Sequence, residues 1–260
     1  MSPRPVPQDS EKGEDAAATS AGEGPGPAVD CGVCGRPLTY STDTMPVTCT
    51  LCGKTAEARI WCPEGHYVCD ACHAKGALEV LREVVSSSRS ADPGALLERA
   101  MAHPAVSMHG PEHHVLVPVV LVAAAAEAGH PVPENALEKA MARSSTVPGG
   151  WCGAYGTCGA AVGVGVAVSV LTGATPLTGP QRSLAMAATA SALGGMLDDH
   201  PRCCKRAART AVAAGSEFLR ERLSIPVAMP AVPVCSYSAR NAQCPGAACP
   251  YHPDAAKGEP

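Results

Sequence analysis

Between positions 31 and 72 the chain sets out four ligand pairs: Cys31-x2-Cys34, Cys49-x2-Cys52, Cys62-x3-His66 and Cys69-x2-Cys72. A segment this short and turn-rich cannot bury a core of its own, so a cross-link has to order it. A C-x2-C turn aims two sulfurs at one point, and thiolate with imidazole is the ligand set zinc prefers. The eight ligands are Cys31, Cys34, Cys49, Cys52, Cys62, His66, Cys69 and Cys72, enough for two tetrahedral zinc ions. A cross-brace would join Cys31/Cys34 to Cys69/Cys72 and Cys49/Cys52 to Cys62/His66. Sequential pairing is the alternative, and His73 is a spare ligand that could replace His66. In "CGVCG" and "LCGK" glycine follows the second cysteine, where a knuckle turn needs positive φ. Both sites would be closed and therefore structural.

The opening thirty residues are Pro, Gly, Glu, Ala and Ser with no apolar stretch of the signal-peptide kind. The expectation is a cytoplasmic protein, in which fourteen cysteines bind metal or do thiol chemistry rather than form disulfides. Arg4 and Lys12 face six carboxylates in residues 1–30, which accounts for the whole net charge of −4. The neutral remainder argues against bulk electrostatic binding to nucleic acid or anionic lipid, while leaving room for a small RNA contact.

Residues 1–29 read as a disordered acidic tail and 30–73 as the zinc-binding cysteine module. From Ala74 the pattern becomes helical. "ALEVLREVV", "PGALLERAMAH", "PEHHVLVPVVLVAAAAEAG", "PENALEKAMARS", "QRSLAMAATASALGGMLDDH" and "PRCCKRAARTAVAAGSEFLRERL" all read as helices, several opening at proline. With one Phe and two Trp, their core must be Ala, Val, Leu and Met, a composition suited to closely approaching helices. The apolar run Val115–Ala126 is broken by Pro118 and falls short of the ~18–20 residues that span a bilayer. Buried helix is the better reading there and for "GAAVGVGVAVSVL", whose G-x-G lacks both a third glycine and a Walker lysine. The expected fold is mainly α: a small N-terminal zinc-binding module, cross-brace or ribbon-like, packed on an all-helical domain (74–225). An irregular C-terminal cysteine clasp and tail (226–260) complete it.

Seven cysteines lie outside the module: Cys152, Cys158, Cys203, Cys204, Cys235, Cys244 and Cys249. With Thr157 as an N-cap, Cys158 falls in a first helical turn; with Pro201 at N1, Cys203 and Cys204 do the same. A helix N-terminus lowers a thiol's pKa, and Arg202, Lys205 and Arg206 add to the effect, so these thiols are expected to ionise readily. Cys235, Cys244 and Cys249 form a loop in which proline follows two of the three, as it does at iron–sulfur ligands. In "HGPEHH", His109, His113 and His114 are candidate proton shuttles or ligands, with Glu112 the nearest carboxylate. The candidate catalytic set is Cys152, Cys158, Cys203, His113 and His114. The candidate cofactor set is Cys204, Cys235, Cys244 and Cys249.

Several stretches together, "CGVCGRPLTY", "CPEGHYVCDACH", "MHGPEHHVLVPVVL", "VPGGWCGAYGTCGAAVGVG", "PRCCKR" and "NAQCPGAACPY", resemble a cysteine-rich family catalogued as domain of unknown function 5714. The resemblance covers roughly residues 30–250. Its members occur alone or fused to S-adenosylmethionine-dependent enzymes, radical enzymes among them, which implies a neighbourhood of metal, sulfur or redox chemistry. The C-terminal half is also similar to redox-active proteins named for a C-GCAxxG-C-C pattern. "CGAYGTCGAAVG" departs from that pattern in its cysteine spacing.

Two functions compete. In the first, a zinc-stapled metalloprotein holds a thiolate or iron–sulfur site. That site does redox or sulfur-transfer work, or assists a radical or methyl-transfer enzyme or a redox partner. In the second, the chain is a non-enzymatic zinc-organised scaffold whose second metal site is purely structural. Surplus thiols at helix N-termini favour the first.

Overall fold

The computed structural model describes residues 31, 33–34, 36–69 and 76–255. The expected tail, Cys72 and His73 lie outside the described residues.

The N-terminal module is an antiparallel ribbon of β1 (Thr39–Thr48) and β2 (Thr55–Trp61), with Thr39 opposite Trp61 and Thr48 opposite Thr55. The register shifts between Tyr40 and Met45, a bulge that accommodates the longer first strand. A two-stranded ribbon is marginal alone in water. Its connecting turn is the knuckle Cys49–Lys54, closed by Cys49 N–H to Lys54 O at 2.9 Å and Gly53 N–H to Cys49 O at 2.9 Å. Gly53 takes φ +72°, the left-handed conformation expected after a second cysteine.

Eight helices follow among the described residues: α1 (Ala77–Ser88), α2 (Pro93–Met101), α3 (Glu112–Glu127), α4 (Ala136–Ser144), α5 (Trp151–Ala154), α6 (Gly159–Thr172), α7 (Gly179–Gly194) and α8 (Cys204–Leu223). The protein is mainly α, as its apolar patterning predicts. α2 starts at Pro93 behind an Asp92 cap, whose Oδ1 accepts from Gly94 N at 2.8 Å and Ala95 N at 3.1 Å. Helix α3 is apolar all round and buried from His113 to Ala125, so it is the central element.

Glycine lets the other helices close on α3. A β-carbon on Gly163 of α6 would stand 2.8 Å from Pro118 Cδ and 3.0 Å from the His114 carbonyl. One on Gly165 would collide with Thr189 of α7, and one on Gly215 of α8 would stand 2.7 Å from Leu121 Cδ1. The glycines of "GAAVGVGV" are therefore packing positions on both sides of a core helix. No helix among the described residues is long and apolar enough to cross a membrane.

Three helix boundaries depart from expectation. α6 begins one residue later than Thr157 capping implies, with Cys158 itself as the N-cap in extended geometry. α8 begins at Cys204 with Cys203 as N-cap, its Sγ accepting from Arg206 N at 3.4 Å; Pro201 stays outside the helix. α7 stops at the Gly194–Gly195 pair rather than running on to His200.

After α8 the chain is irregular, with two single 3₁₀ turns at Ser238–Arg240 and Gly246–Ala248. It is nonetheless pinned. Ala228 N–H donates to Ala91 O at 2.8 Å and Cys235 N–H to Tyr251 O at 2.7 Å. The Tyr237 ring is buried in the helical core.

Candidate metal centres and thiol cavity

Two groups of ligand atoms are assembled by the ribbon. Cys31, Cys34, Cys62 and His66 bring their ligand atoms within 4.8 Å of one another, and so do Cys49, Cys52 and Cys69. Cys34 and Cys62 sulfurs are 3.5 Å apart, Cys62 Sγ is 3.7 Å from His66 Nδ1, and Cys52 and Cys69 sulfurs are 3.8 Å apart. Counted along the chain, the first pair has joined the third, and the second pair has joined the first member of the fourth. The groups interleave along the chain, with Cys31 and Cys34 meeting Cys62 and His66 rather than Cys69, which joins Cys49 and Cys52. One group sits where the ribbon's strands begin and end, the other at its hairpin tip.

The thiols of these groups differ in acidity. Burial pushes Cys34 up to about 11. Burial acts on Cys49 too, but the amides of Cys52, Cys69 and Leu51 point at its sulfur and bring it down to about 7. Cys62 is likewise lowered against burial, by the amides of Glu64 and His66 and by its sulfur neighbours. A preformed ring of amide donors stabilises thiolate, the form that binds metal.

The remaining seven cysteines sort themselves around two spaces in the helical part. Cys203, Cys235, Cys244 and Cys249 line one small pocket, together with Arg206, Arg209 and Tyr237. Cys203 reaches it from the N-cap of α8, and the other three come from the irregular C-terminal loop. Sulfur positions are held by backbone: Tyr237 N–H meets Cys235 Sγ at 3.4 Å, and Gly246, at φ +62°, turns the loop between Cys244 and Cys249. Among the described residues, no three of these thiols are as close as those of the N-terminal groups.

Arg206 and Arg209 line that pocket, and Lys205 and Arg240 approach the Tyr237 ring that shares its wall. Arg209 makes a bidentate ion pair with Glu98, both N···O distances 2.7 Å, with the Arg209 side chain 3% exposed. Lys205 is 2% exposed, and among the described residues its ammonium donates to the carbonyls of Met101 at 3.3 Å and Val106 at 3.4 Å. It also sits 4.3 Å from the centre of the Tyr237 ring, which Arg209 and Arg240 approach at 5.7 and 5.3 Å. Burial, then the charges of Arg240 and Arg209, bring Lys205 down to about 8.

The second space is a cavity of about 850 Å³ at the N-termini of α6 and α8. Cys152, Cys158, Cys204, Cys203 and His114 all line it, as do His109, Asp198, His200 and Arg206. Cys203 and Arg206 belong to both linings, so the pocket and the cavity are neighbours. Adjacent in sequence, Cys203 and Cys204 differ in reach: Cys203 lines both spaces and meets the loop cysteines, while Cys204 lines only the cavity with Cys152 and Cys158.

Two expectations need correction. Cys158, Cys203 and Cys204 do not ionise readily. Burial raises all three, outweighing the first-turn amides of Ala160 and Ala161 at Cys158 and the Arg206 amide and charge at Cys203. Lys205 adds little there because its ammonium is turned into the core. His113 is not a cavity residue. It is fully buried, with Nδ1–H donating to Gly110 O at 3.1 Å and Nε2 without a partner. Burial and then the Lys205 charge lower it to about 4, so it stays neutral.

Asp198 and His200 are cavity residues that the cysteine pattern did not single out, and Arg206, expected beside the thiols, lines the cavity with them. Arg206 bonds Asp198 at 3.1 Å and the Pro201 carbonyl at 3.1 Å. Their signal was present in "DDHPRCCKR", where charged residues bracket the cysteine pair.

Fold and site together define a cysteine-rich, mainly helical protein whose N-terminal ribbon assembles two groups that could hold metal ions. A family model described as a family of unknown function, DUF5714, matches residues 81–252, and the chain belongs to that family. Neither a curated protein nor a solved structure matches it.

Proposed function

We propose that this chain is a cytoplasmic metalloprotein of redox or sulfur-transfer chemistry. In this reading zinc fills the two N-terminal groups, and Cys203, Cys235, Cys244 and Cys249 hold a thiolate-ligated centre beside the substrate cavity. Zinc suits the N-terminal groups because thiolate and imidazole at single-ion spacing form closed, structural tetrahedra. All thirteen described cysteines are free thiols, which suits a reducing compartment.

One observation carries the reading of the second centre. Four thiols converge on a pocket lined by Arg206 and Arg209, which pair with Asp198 and Glu98, and by Tyr237, whose ring holds the buried ammonium of Lys205 at 4.3 Å. A buried ammonium without a carboxylate partner is costly, and a tetrathiolate centre carries the negative charge that would balance it. The Cys–Pro steps at 244 and 249 favour an iron–sulfur cluster. So does the spacing of the thiols, wider than the ~4 Å that a single tetrahedral zinc sets between sulfurs. Through Cys203 such a cluster would border the cavity. There it would pass one electron at a time to a bound acceptor, and a one-electron donor protein would restore it. A radical or methyl-transfer enzyme is a fitting recipient or partner.

The second reading, a scaffold with a structural ion in this pocket, has its own support: the free space between the thiols is only about 20 Å³, the scale of a single ion. Anaerobic protein, reduced with dithionite, separates the two. A visible charge-transfer band that bleaches, with an electron-paramagnetic signal lost in Cys235→Ser and Cys249→Ser, supports the cluster. A colourless, silent protein with a full zinc complement leaves the scaffold.

A further inference from the structure

His114 is 8% exposed and lies on the wall of the 850 Å³ cavity. Its Nδ1 stands 3.0 Å from the carbonyl oxygen of Val147. A carbonyl only accepts, so Nδ1 carries the proton and Nε2 carries the lone pair. Among the described residues Nε2 has no hydrogen-bond partner. A histidine whose one ring nitrogen is tied to a backbone carbonyl, leaving the other bare beside a cavity, has the orientation of a metal ligand. The ring cannot swing away toward α6, because it fills the space over Gly159.

Three thiols share that wall. Cys158 caps α6 immediately before Gly159, and Cys204 is the first residue of α8. Cys152 is exposed on the four-residue helix α5, which is bounded by Gly150 at φ +83° and Gly156 at φ +64°. Cys158 lies near enough to Cys152 and to Cys204 for their charges to act on one another. The four donors stand wider apart than the 4.8 Å of the N-terminal groups, and staggered rotation about χ1 is the motion that draws such sulfurs onto an ion.

We infer that His114 Nε2, Cys158 and Cys204, completed by Cys152, form a further site for a thiophilic divalent cation of the zinc class. The site deepens the reading of the cavity as the place of chemistry and rests on it. Its ion would face the open space, with three ligands on rigid helices and the fourth on a segment free to leave. The assignment also disposes of every described cysteine: three in each N-terminal group, four at the loop pocket and three here. No thiol is left over.

The test counts zinc per chain by native mass spectrometry in zinc-loaded, anaerobically prepared full-length protein, with iron and sulfide measured on the same sample. Cys158→Ser, Cys204→Ser and His114→Gln should each bind one zinc fewer than wild type, with iron, sulfide and helical circular dichroism unchanged. Wild-type zinc counts in all three variants overturn the site. Should a variant fold poorly, crystals of the wild type decide. Zinc-edge anomalous density bonded to Cys158, Cys204 and His114 Nε2 supports it. Density at the N-terminal groups with none in the cavity overturns it. Loss of the iron signal without change at these ligands would count against the proposed function alone.

Discussion

The imidazole of His114 occupies the volume in which a β-carbon on Gly159 would stand. One helix N-terminus thus presses its backbone on a histidine from the central helix, and the cysteine that caps it, Cys158, is set beside that ring. The contact ties the packing of α3 and α6 to the chemistry of the cavity.

Gly159→Ala should therefore act twice. An added methyl must displace the ring or part the helices, an overpacking worth about 1–3 kcal/mol. Urea unfolding should show that loss. The variant should also lose cavity zinc, because the ring no longer holds Nε2 in place. Full metal content in a destabilised Gly159→Ala protein would show that the ring's seat is structural only.

Chelation should unfold one part and spare the other. Among its described residues the ribbon has no sizeable core besides its ligands: Cys31, Val33 and Cys62 form one small cluster, Cys49 and Leu51 another. The helical body has a continuous core running from Val80 to Tyr237. Treatment with a strong chelator should abolish protection of β1 and β2 amides in hydrogen exchange while helical circular dichroism persists. Loss of both together would mean that the helices depend on the module.

Arg209 should be the most sensitive charge. Arg209→Met leaves Glu98 without its bidentate partner and removes a cation from the Tyr237 and Tyr251 rings. Glu98 keeps partial access to water, with its side chain 32% exposed, so the cost should fall near the low end for a broken buried pair, about 3 kcal/mol. Chemical denaturation reads it, and a double-mutant cycle with Glu98→Gln should recover most of it as coupling.

Lys205 offers a test of charge balance. If its buried ammonium offsets a thiolate centre, Lys205→Met should lower the iron retained after gel filtration, and Lys205→Arg should keep more of it. Equal iron in wild type and Lys205→Met would remove the electrostatic argument for an anionic centre in that pocket.

The helices were legible because their signals are local: Asp92 before Pro93, or the apolar run of α3. The ribbon was less so. Its strands contain Asp43 and Pro46 and bury little, and their register is fixed by ligands at the two ends rather than by an apolar face. Ligand pairing order was open for a related reason, since spacing names the donors and only the hairpin decides which meet. The subtler misses involve neighbours in sequence. Successive residues on a helix point ~100° apart, so His113 faces the core while His114 faces the cavity. Cys204, the first helical residue, lines only the cavity, whereas Cys203, the extended N-cap before it, also reaches the loop pocket. The expected acidity of the helix-start thiols failed because burial, invisible in the sequence, outweighed the amides.

The central claim is that the second cysteine set carries chemistry and not merely structure. It is tested most directly by purifying the protein anaerobically and measuring zinc, iron and acid-labile sulfide per chain beside the visible spectrum. The account predicts zinc in the N-terminal groups together with iron and sulfide, and a thiolate-to-iron band that requires Cys235 and Cys249. Zinc alone, with neither iron nor sulfide, would contradict it.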